Sequence, residues 1–305
     1  MNLRALQYFI ALADLRHFRK AAERCHVSQP TLSTQIRKLE QQLGADLIER
    51  NSRQVLLTAL GARVLEHAKK AISETQSIRQ LARDADDPFA GTLSLGIFPT
   101  LAPYFLPHVI RELRALHPKL TLRLFEEKTE RVMSMLFDGQ LDAILLALPL
   151  DDEQLHVEPL FNEPFVLVTP ANHRLSRSAT IELADLQKEP VLLLEDGHCL
   201  RQHALDVCQL AGALENLDFQ ASSLETLRHM VAAGSGVTLL PILATQPPLT
   251  TMEGLAARPF KSPPPQRTIA MAWRKSSLRE ELLVSIAGLF KSINPKLLQP
   301  QRTSG

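Results

Sequence analysis

Two cysteines nine positions apart are the residues in this chain best suited to chemistry. Cys199 and Cys208 lie in a segment whose apolar spacing predicts a helix. In a helix this separation means a rise of about 13.5 Å and places the two sulfurs on opposite faces. A disulfide needs Cα atoms roughly 4.4–6.8 Å apart, so joining the pair requires the helix between them to unfold. An oxidised bond would then report a change of shape, which a redox switch needs.

The surroundings of Cys199 favour a reactive thiol. Asp196 follows the strand-like run 190–194 and is predicted as an N-cap, which puts Cys199 in the first helical turn near the positive end of the helix dipole. Donors and positive charge, which lower the pKa of a thiol, come from His198, Arg201 and His203. Cys199 is thus predicted to react first with an oxidant. Cys208, which has apolar neighbours, is predicted to be the resolving cysteine that then bonds to Cys199. Two ordinary core cysteines fit the spacing equally well.

Charge is distributed unevenly along the 305 residues, whose formal net charge is +1. Residues 1–53 contain nine basic and five acidic side chains, a net of +4, which leaves −3 for the rest. A basic N-terminal module indicates a polyanionic partner for that module. Three cysteines do not form a disulfide framework, and we expect neither a secretory segment nor a membrane span, so a cytoplasmic location is predicted.

The first 57 residues have the pattern of a winged helix-turn-helix. Apolar residues recur at helical spacing from Leu3 to Ala13, a second helix runs through 18–24, and a third begins at a serine cap followed by proline. Its outward side chains suit phosphate oxygens and base edges, and the predicted DNA-contacting residues are Ser28, Gln29, Pro30, Thr31, Ser33, Thr34, Gln35, Arg37 and Lys38. A predicted two-stranded wing adds Arg50 and Arg53, so double-stranded DNA is the expected partner.

A long helix is predicted for residues 58–86. Small and apolar residues recur there at alternating steps of three and four, the 3.5-residue period of a coiled-coil seam: Gly61, Val64, Ala68, Ala71, Thr75, Ile78 and Ala82. Such a helix is about 43 Å long. A dimer formed along it could place two winged modules on one face of a DNA duplex.

From residue 91, strand-like and helical runs alternate, which is typical of an open parallel α/β sheet. The predicted strands are 93–97, 120–125, 141–146, 165–168, 191–194, 237–240 and 269–273, with helices at 101–116 and 129–138. Ligands of such sheets bind at the carboxyl ends of strands, so Thr100 and Thr129 mark the predicted pocket. Helix capping explains each threonine at least as well.

These features together resemble the LysR-type transcriptional regulators over essentially the whole chain. The resemblance is carried by Phe18-Arg19-Lys20-Ala21-Ala22, by 28–33 and 36–40, and by Val231-Ala232-Ala233-Gly234-Ser235-Gly236. It implies an α/β protein with a DNA-binding domain at 1–57, a linker and dimerisation helix at 58–87, and a periplasmic-binding-protein-like regulatory domain at 91–305. That domain would have two α/β sub-domains, 91–163 with 268–305, and 164–267.

Residues 195–201 with Cys208, and residues 222–228, are similar to the hydrogen-peroxide-sensing members of that family. The resemblance implies that Cys199 is the peroxidatic thiol and Cys208 its disulfide partner, and that peroxide is ordered by Thr100, Thr129 and His198. It also implies promoter DNA and RNA polymerase as partners, a homotetramer built as a dimer of dimers, and no cofactor or metal. Gln202 stands where relatives carry an acid, followed by His203, so the thiol reactivity is expected to differ.

Three other functions remain open at this stage. A LysR-type regulator of a small metabolite would keep every N-terminal feature and use the cleft between sub-domains without thiols. A metal sensor is conceivable because Cys199 and His203 stand four residues apart on one helix face, although a third ligand is not evident. A thiol peroxidase would leave the DNA-binding module without a purpose, so we do not expect an enzyme.

Overall fold

The structure, a computed structural model, describes residues 2–51, 54–84, 87–197, 199–212, 214–246 and 253–299. The chain divides into two compact units. Residues 1–86 with 137–140 form one, and residues 87–136 with 141–305 form the other.

The first unit contains the predicted helix-turn-helix and wing. Its elements are α1 (Leu3–Leu15), α2 (Phe18–Arg24), α3 (Gln29–Leu43), β1 (Ile48–Asn51), β2 (Gln54–Leu57) and α4 (Ala59–Asp84). Ser28 caps α3 by accepting a hydrogen bond from Thr31 N, Pro30 lies in the first turn, and Gly44 ends the helix with φ 67°. The predicted start and end of this helix are therefore confirmed.

Burial of apolar side chains fixes the orientation of α3. Leu32 and Leu39 are fully buried against Phe9 and Leu12 of α1 and Leu47 before the wing. Each such side chain contributes about 1.5–3 kcal/mol. The buried carboxylate of Glu40 in α3 accepts from Leu47 N at 3.0 Å and from the backbone amide of the next residue at 3.3 Å. The wing is thereby tied to α3, whose polar face is left toward solvent.

Over the first half of α4, part of the predicted coiled-coil seam packs within the chain, and pairing along this helix stays a prediction. Ala68 and Ile72 are buried in the core of the first unit, and Val64 and Ala71 pack against that core. These positions are used within one chain, because α4 packs along α1. Ile78, further along the predicted seam, is 65% exposed.

A mixed sheet, in the order β10-β6-β11-β5-β3-β4, organises the second unit. Its strands, together with β7 to β9, are β3 (Gly91–Ile97), β4 (Leu120–Glu126), β5 (Ala143–Ala147), β6 (Leu155–Pro170), β7 (Pro190–Leu194), β8 (Leu214–Ala221), β9 (Thr238–Pro241), β10 (Leu255–Pro259) and β11 (Gln266–Arg274). β3 pairs in parallel with β4 and β5, but β11 is antiparallel to both β5 and β6. The prediction of a parallel sheet is therefore wrong for β6 and β11.

These strands form two lobes with the helices α5 (Ala102–Leu116), α6 (Thr129–Phe137), α7 (Cys199–Ala211), α8 (Leu224–Ala232) and α9 (Glu280–Lys291). The first lobe contains β3, β4, β5, β11 and the start of β6; the second contains β7 to β10 and the end of β6. β6 crosses between them, since residues 155–164 pair with β11 and residues 165–170 pair with β9 and β10.

The sequence prediction captured only residues 165–168 of β6 and missed β8 and β10. The first half of β6 contains His156, Glu158 and Glu163, so it lacks the apolar run expected of a buried strand, and β10 ends at a proline. The predicted boundaries of the sub-domains stay a prediction.

Replacing Gly61 in α4 by alanine is expected to destabilise the first unit. A Cβ at this position would lie 2.1 Å from Leu47 O, which is backbone, so the wing and α4 would have to separate. We expect a loss of about 1–3 kcal/mol, seen as a lower unfolding temperature in calorimetry.

Gly288→Ala in α9 is the matched control, since a Cβ there meets nothing within 4 Å. It should be neutral or stabilising by up to about 1 kcal/mol, because alanine favours helix. Equal unfolding temperatures for Gly61→Ala and the parent chain would contradict the close packing of wing and helix.

Candidate functional site

The polar face of α3 presents the predicted DNA-contacting side chains. Exposed residues there are Gln29, Pro30, Thr31, Thr34, Arg37 and Lys38, whereas Ser33 and Gln35 are half-buried. The Ser28 hydroxyl lies 2.7 Å from Thr31 Oγ1 as part of its capping role. Arg50 contributes backbone to β1, and Arg53 lies outside the described residues. Hydroxyls, amides and two cations on one exposed face form a surface suited to a DNA groove.

The two cysteines of interest lie in one helix, as predicted. Cys199 is the first residue of α7, and Cys208 is in its last turn and is 2% exposed. Both are thiols, as is Cys25 in the first unit. Nine residues of α-helix separate the two sulfurs along the axis by about 13.5 Å, so α7 must unwind before they can bond.

The electrostatics of Cys199 differ from the prediction. Burial raises the pKa of its thiol above the ordinary value, while the charge of Arg267 and the hydroxyl of Thr129 act in the opposite direction. The predicted lowering of this pKa is wrong, because the sequence reveals nearby charge but not the loss of water around the sulfur. The thiol is therefore mainly protonated at neutral pH, and the two groups beside it favour its thiolate when that forms.

Arg267, which the sequence analysis missed, is the best-anchored group of the site. It is 1% exposed, and its guanidinium lies 2.8 Å from Glu163 Oε2, which is fully buried. It also donates to Thr100 Oγ1 and Thr100 O, each at 3.0 Å, and stacks 5.1 Å from the centre of the Phe98 ring. Glu163 Oε1 accepts in turn from Leu243 N at 3.2 Å. The guanidinium is thereby fixed in position beside the thiol.

A signal for Arg267 was present in the sequence. Strand side chains alternate between faces, and Arg267 shares its face with Ile269 and Met271, which are fully buried. A charged residue on the buried face of a strand is rarely left without a partner. Its carboxylate partner, Glu163, lies 104 positions away and could not be identified without the fold.

The two threonines occupy different positions around this guanidinium. Thr100 is 3% exposed and accepts from Arg267, while α5 begins after Leu101, so the capping explanation of Thr100 is wrong. Thr129 is the first residue of α6, and its Oγ1 is buried with no hydrogen-bond partner among the residues the structure describes. Its effect on the pKa of Cys199 indicates that this hydroxyl faces the sulfur. The fold therefore brings Thr129 to the thiol and Thr100 to Arg267.

The remaining predicted site residues have other partners. Arg201 donates to Asp196 Oδ1 at 2.8 Å and to Leu194 O at 3.1 Å. Asp196, three residues before the helix, therefore serves as an ion-pair partner and not as the predicted N-cap. Gln202 is exposed and donates to Asp206 Oδ1 at 2.9 Å, while His203 Nε2 lies 3.0 Å from Leu148 O. His198 lies outside the described residues.

The turn that leads into α7 is held by the first lobe. Lys128 Nζ donates to Glu195 Oε1 at 2.7 Å and to Asp196 O at 3.0 Å. Gly197 has φ 90°, and a Cβ there would lie 3.1 Å from Lys128 Cδ. Glycine is thus favoured at this position for both its backbone conformation and the approach of the lysine. The start of α7 is set against α6, which presents Thr129.

The described residues contain neither a metal-binding cluster nor a membrane-spanning helix. No group of three or more His, Cys, Asp or Glu side chains in the described ranges is arranged to hold a metal ion. None of the helices described is long and apolar enough to cross a membrane.

The arrangement suits attack by a thiolate on a small electrophilic oxidant. The guanidinium stabilises the thiolate and also the oxyanion that the oxidant releases when the thiolate attacks it. The hydroxyl of Thr129 can donate a hydrogen bond to either anion. A winged helix-turn-helix followed by a two-lobed domain defines a DNA-binding regulator, and the thiol beside Arg267 and Thr129 is its candidate functional site.

Comparison with known proteins agrees with this class. Residues 3–62 match the bacterial regulatory helix-turn-helix protein, lysR family, and residues 86–290 match the LysR substrate binding domain. The chain is 46% identical over 277 residues to the DNA-binding transcriptional dual regulator OxyR of Escherichia coli K12, covering 91% of this chain and 90% of that protein.

Solved structures give the same result. Full-length OxyR C199D from Pseudomonas aeruginosa is similar with a TM-score of 0.75 and 37% identity, covering 98% of this chain and all of that one. The oxidized form of OxyR is similar with a TM-score of 0.61 and 42% identity, covering 68% and 97%. The chain belongs to the LysR family of bacterial transcription regulators and, within it, to the OxyR group.

The two threonines should respond differently to replacement by valine. Thr129→Val removes a hydroxyl without a hydrogen-bond partner in the described structure, so stability should stay equal or rise, while the pKa of Cys199 rises further. Alkylation of Cys199 at neutral pH should therefore slow, because a smaller fraction of the thiol is ionised. The rate is followed by mass spectrometry.

Thr100→Val is the comparison, because it deprives Arg267 Nη1 of its acceptor. It should lower the free energy of unfolding by about 1–3 kcal/mol. If Thr129→Val left the alkylation rate unchanged, the hydroxyl would not act on the thiol.

Proposed function

We propose that this chain senses hydrogen peroxide by reversible formation of a Cys199–Cys208 disulfide and thereby controls transcription of oxidative-stress genes. The observation that carries the proposal is the placement of Cys199 at the start of α7, beside Arg267 and Thr129, with Cys208 in the same helix. Peroxide fits this site chemically, because both of its oxygens accept hydrogen bonds and one must leave as an anion.

The first step is oxidation of Cys199. Its thiolate attacks one peroxide oxygen, so that an S–O bond forms while the O–O bond breaks, and the leaving hydroxide takes up a proton to become water. The guanidinium of Arg267 stabilises the attacking thiolate, and the hydroxyls of Thr100 and Thr129 are the nearby groups that could order peroxide. His198, predicted to share that role, remains a prediction.

The second step changes the shape of the domain. The thiolate of Cys208 attacks the Cys199 sulfur, an S–S bond forms, the S–O bond breaks, and the hydroxide that leaves takes the proton lost by Cys208. Because α7 holds these sulfurs apart, the step requires the helix to unwind. A dithiol reverses the change by reducing the disulfide.

The comparisons support this assignment. The relatives include proteins named hydrogen peroxide-inducible genes activator, one from Haemophilus influenzae being 42% identical over 277 residues. A solved OxyR structure is described as the oxidized form, which agrees with a regulator that exists in two redox states.

Transmission to DNA involves further partners. We propose that the chain acts in the cytoplasm as a dimer of dimers, that α3 and the wing bind promoter DNA, and that oxidation alters contacts with RNA polymerase to activate transcription. The exposed polar face of α3 supports DNA binding, and the exposed Ile78 of α4 supports pairing of helices. Because the chain carries a helix-turn-helix that a peroxidase would not need, we propose that it acts as a sensor and not as an enzyme.

Peroxide oxidation mapped by mass spectrometry tests the proposal. Reduced protein treated with a few equivalents of hydrogen peroxide should yield a Cys199–Cys208 disulfide that a dithiol removes. Cys208→Ser should accumulate a sulfenic acid at Cys199, trapped as a dimedone adduct, and should lose the DNA footprint of the oxidised form.

Cys25→Ser is the control and should behave as the parent chain, since Cys25 lies in the first unit. A Cys199 that stays a thiol under these conditions would defeat the peroxide proposal. The effector would then have to be a small molecule bound between the lobes.

DNA contact by α3 can be tested through salt dependence. Arg37→Ala removes an exposed cation from the polar face of α3, so DNA affinity should fall and the slope of log Kd against log salt should decrease by about one. Arg177→Ala, an exposed arginine of the second unit, should leave both unchanged. An unchanged slope for Arg37→Ala would argue against a phosphate contact.

A further inference from the structure

His203 is a residue of α7 for which the proposed chemistry has no role. Its Nε2 lies 3.0 Å from Leu148 O. Leu148 directly follows β5 in the first lobe, whereas α7 belongs to the second lobe. This hydrogen bond therefore attaches the helix that carries both cysteines to the opposite lobe.

The bond identifies which nitrogen of the imidazole ring is the donor. A backbone carbonyl only accepts, so Nε2 of His203 carries the proton and donates it. The other ring nitrogen, Nδ1, is buried without a hydrogen-bond partner in the described part of the chain. The hydrogen bond from this ring to the first lobe thus depends on the N–H group at Nε2.

The acceptor is itself held next to the thiol site. Leu148 N donates to Thr268 O at 2.9 Å, and Thr268 follows Arg267 in β11. His203 is one helical turn after Cys199 and on the same face of α7. The helix is therefore fixed at two successive turns to the same part of the first lobe, by the packing of Cys199 beside Arg267 and by the hydrogen bond of His203.

We propose that His203 is a latch that holds α7 in its helical, thiol form and so sets how readily the disulfide closes. The inference rests on the proposed function, since unwinding residues 199–208 to join the cysteines has to break the bond to Leu148. Because the bond exists in the helical form, its free energy stabilises the thiol state relative to the disulfide. Loss of the donor shifts the balance toward the disulfide.

A redox titration of the full-length protein tests the latch. Mixtures of reduced and oxidised glutathione set the equilibrium in which the protein disulfide and two glutathione thiols exchange with two protein thiols and one glutathione disulfide. His203→Leu keeps an apolar side chain of similar size but lacks the donor, and it should shift this equilibrium toward the protein disulfide by about two- to tenfold.

Two further variants separate the hydrogen bond from general effects on the helix. His203→Gln retains an N–H donor and should restore most of the parent equilibrium. Gln209→Ala changes an exposed side chain of the same helix and should stay within about twofold of the parent chain. Equal shifts in His203→Leu and His203→Gln would overturn the proposal, because the donor would then not matter.

Hydrogen exchange of the reduced protein gives a second readout that needs no disulfide. Backbone amides of α7 should exchange faster in His203→Leu than in the parent chain and in His203→Gln. Parent-like exchange and a parent-like glutathione equilibrium in His203→Leu would overturn the latch while leaving peroxide sensing intact. Failure of the parent chain to form the disulfide would instead defeat the proposed function, and the exchange rates alone would then decide whether His203 holds the helix.

Discussion

The buried ion pair between Arg267 and Glu163 is the interaction around which the regulatory domain is organised. Both side chains are withdrawn from solvent, and a buried charge is tolerated only when its remaining donors and acceptors are satisfied. The guanidinium meets this requirement with Thr100, and the carboxylate with the backbone amide of Leu243. These partners come from β11, from β6, from the loop after β3 and from the second lobe. One ion pair thus holds four segments together around the thiol.

That arrangement withdraws the thiol from water and places a fixed charge beside it. Burial raises the pKa of Cys199 and so favours the protonated thiol. A protonated thiol is a poor nucleophile toward oxidants in general. The fixed charge of Arg267 and the hydroxyl of Thr129 favour the thiolate and the oxyanion that leaves a peroxide. A small oxidant that fits between these groups is therefore the one whose reaction with the thiolate this site would stabilise most. In the proposed mechanism, the helix that begins at Cys199 links this chemistry to a change of shape.

A buried carboxylate also organises the DNA-binding unit. Glu40 accepts two backbone amides at the start of the wing, so the recognition helix and the wing are held in a fixed relation. Gly61 lets α4 approach the same segment closely. In each unit a buried acidic side chain therefore positions the segments around the functional site: α3 and the wing in the first unit, and Arg267 in the second. In both, the contacts are made by segments separated in the chain.

Local sequence determined much of this protein. The serine cap, proline and glycine that bound α3 act within a few residues, and the nine-residue spacing of the cysteines fixes their separation as soon as α7 forms. Tertiary structure decided the rest. The partners of Arg267, the desolvation that raises the pKa of Cys199, and the burial of half the predicted seam of α4 arise from segments brought together only by folding. Sequence patterns report what neighbours along the chain can do, whereas burial and long-range pairing depend on which strands and helices meet in space.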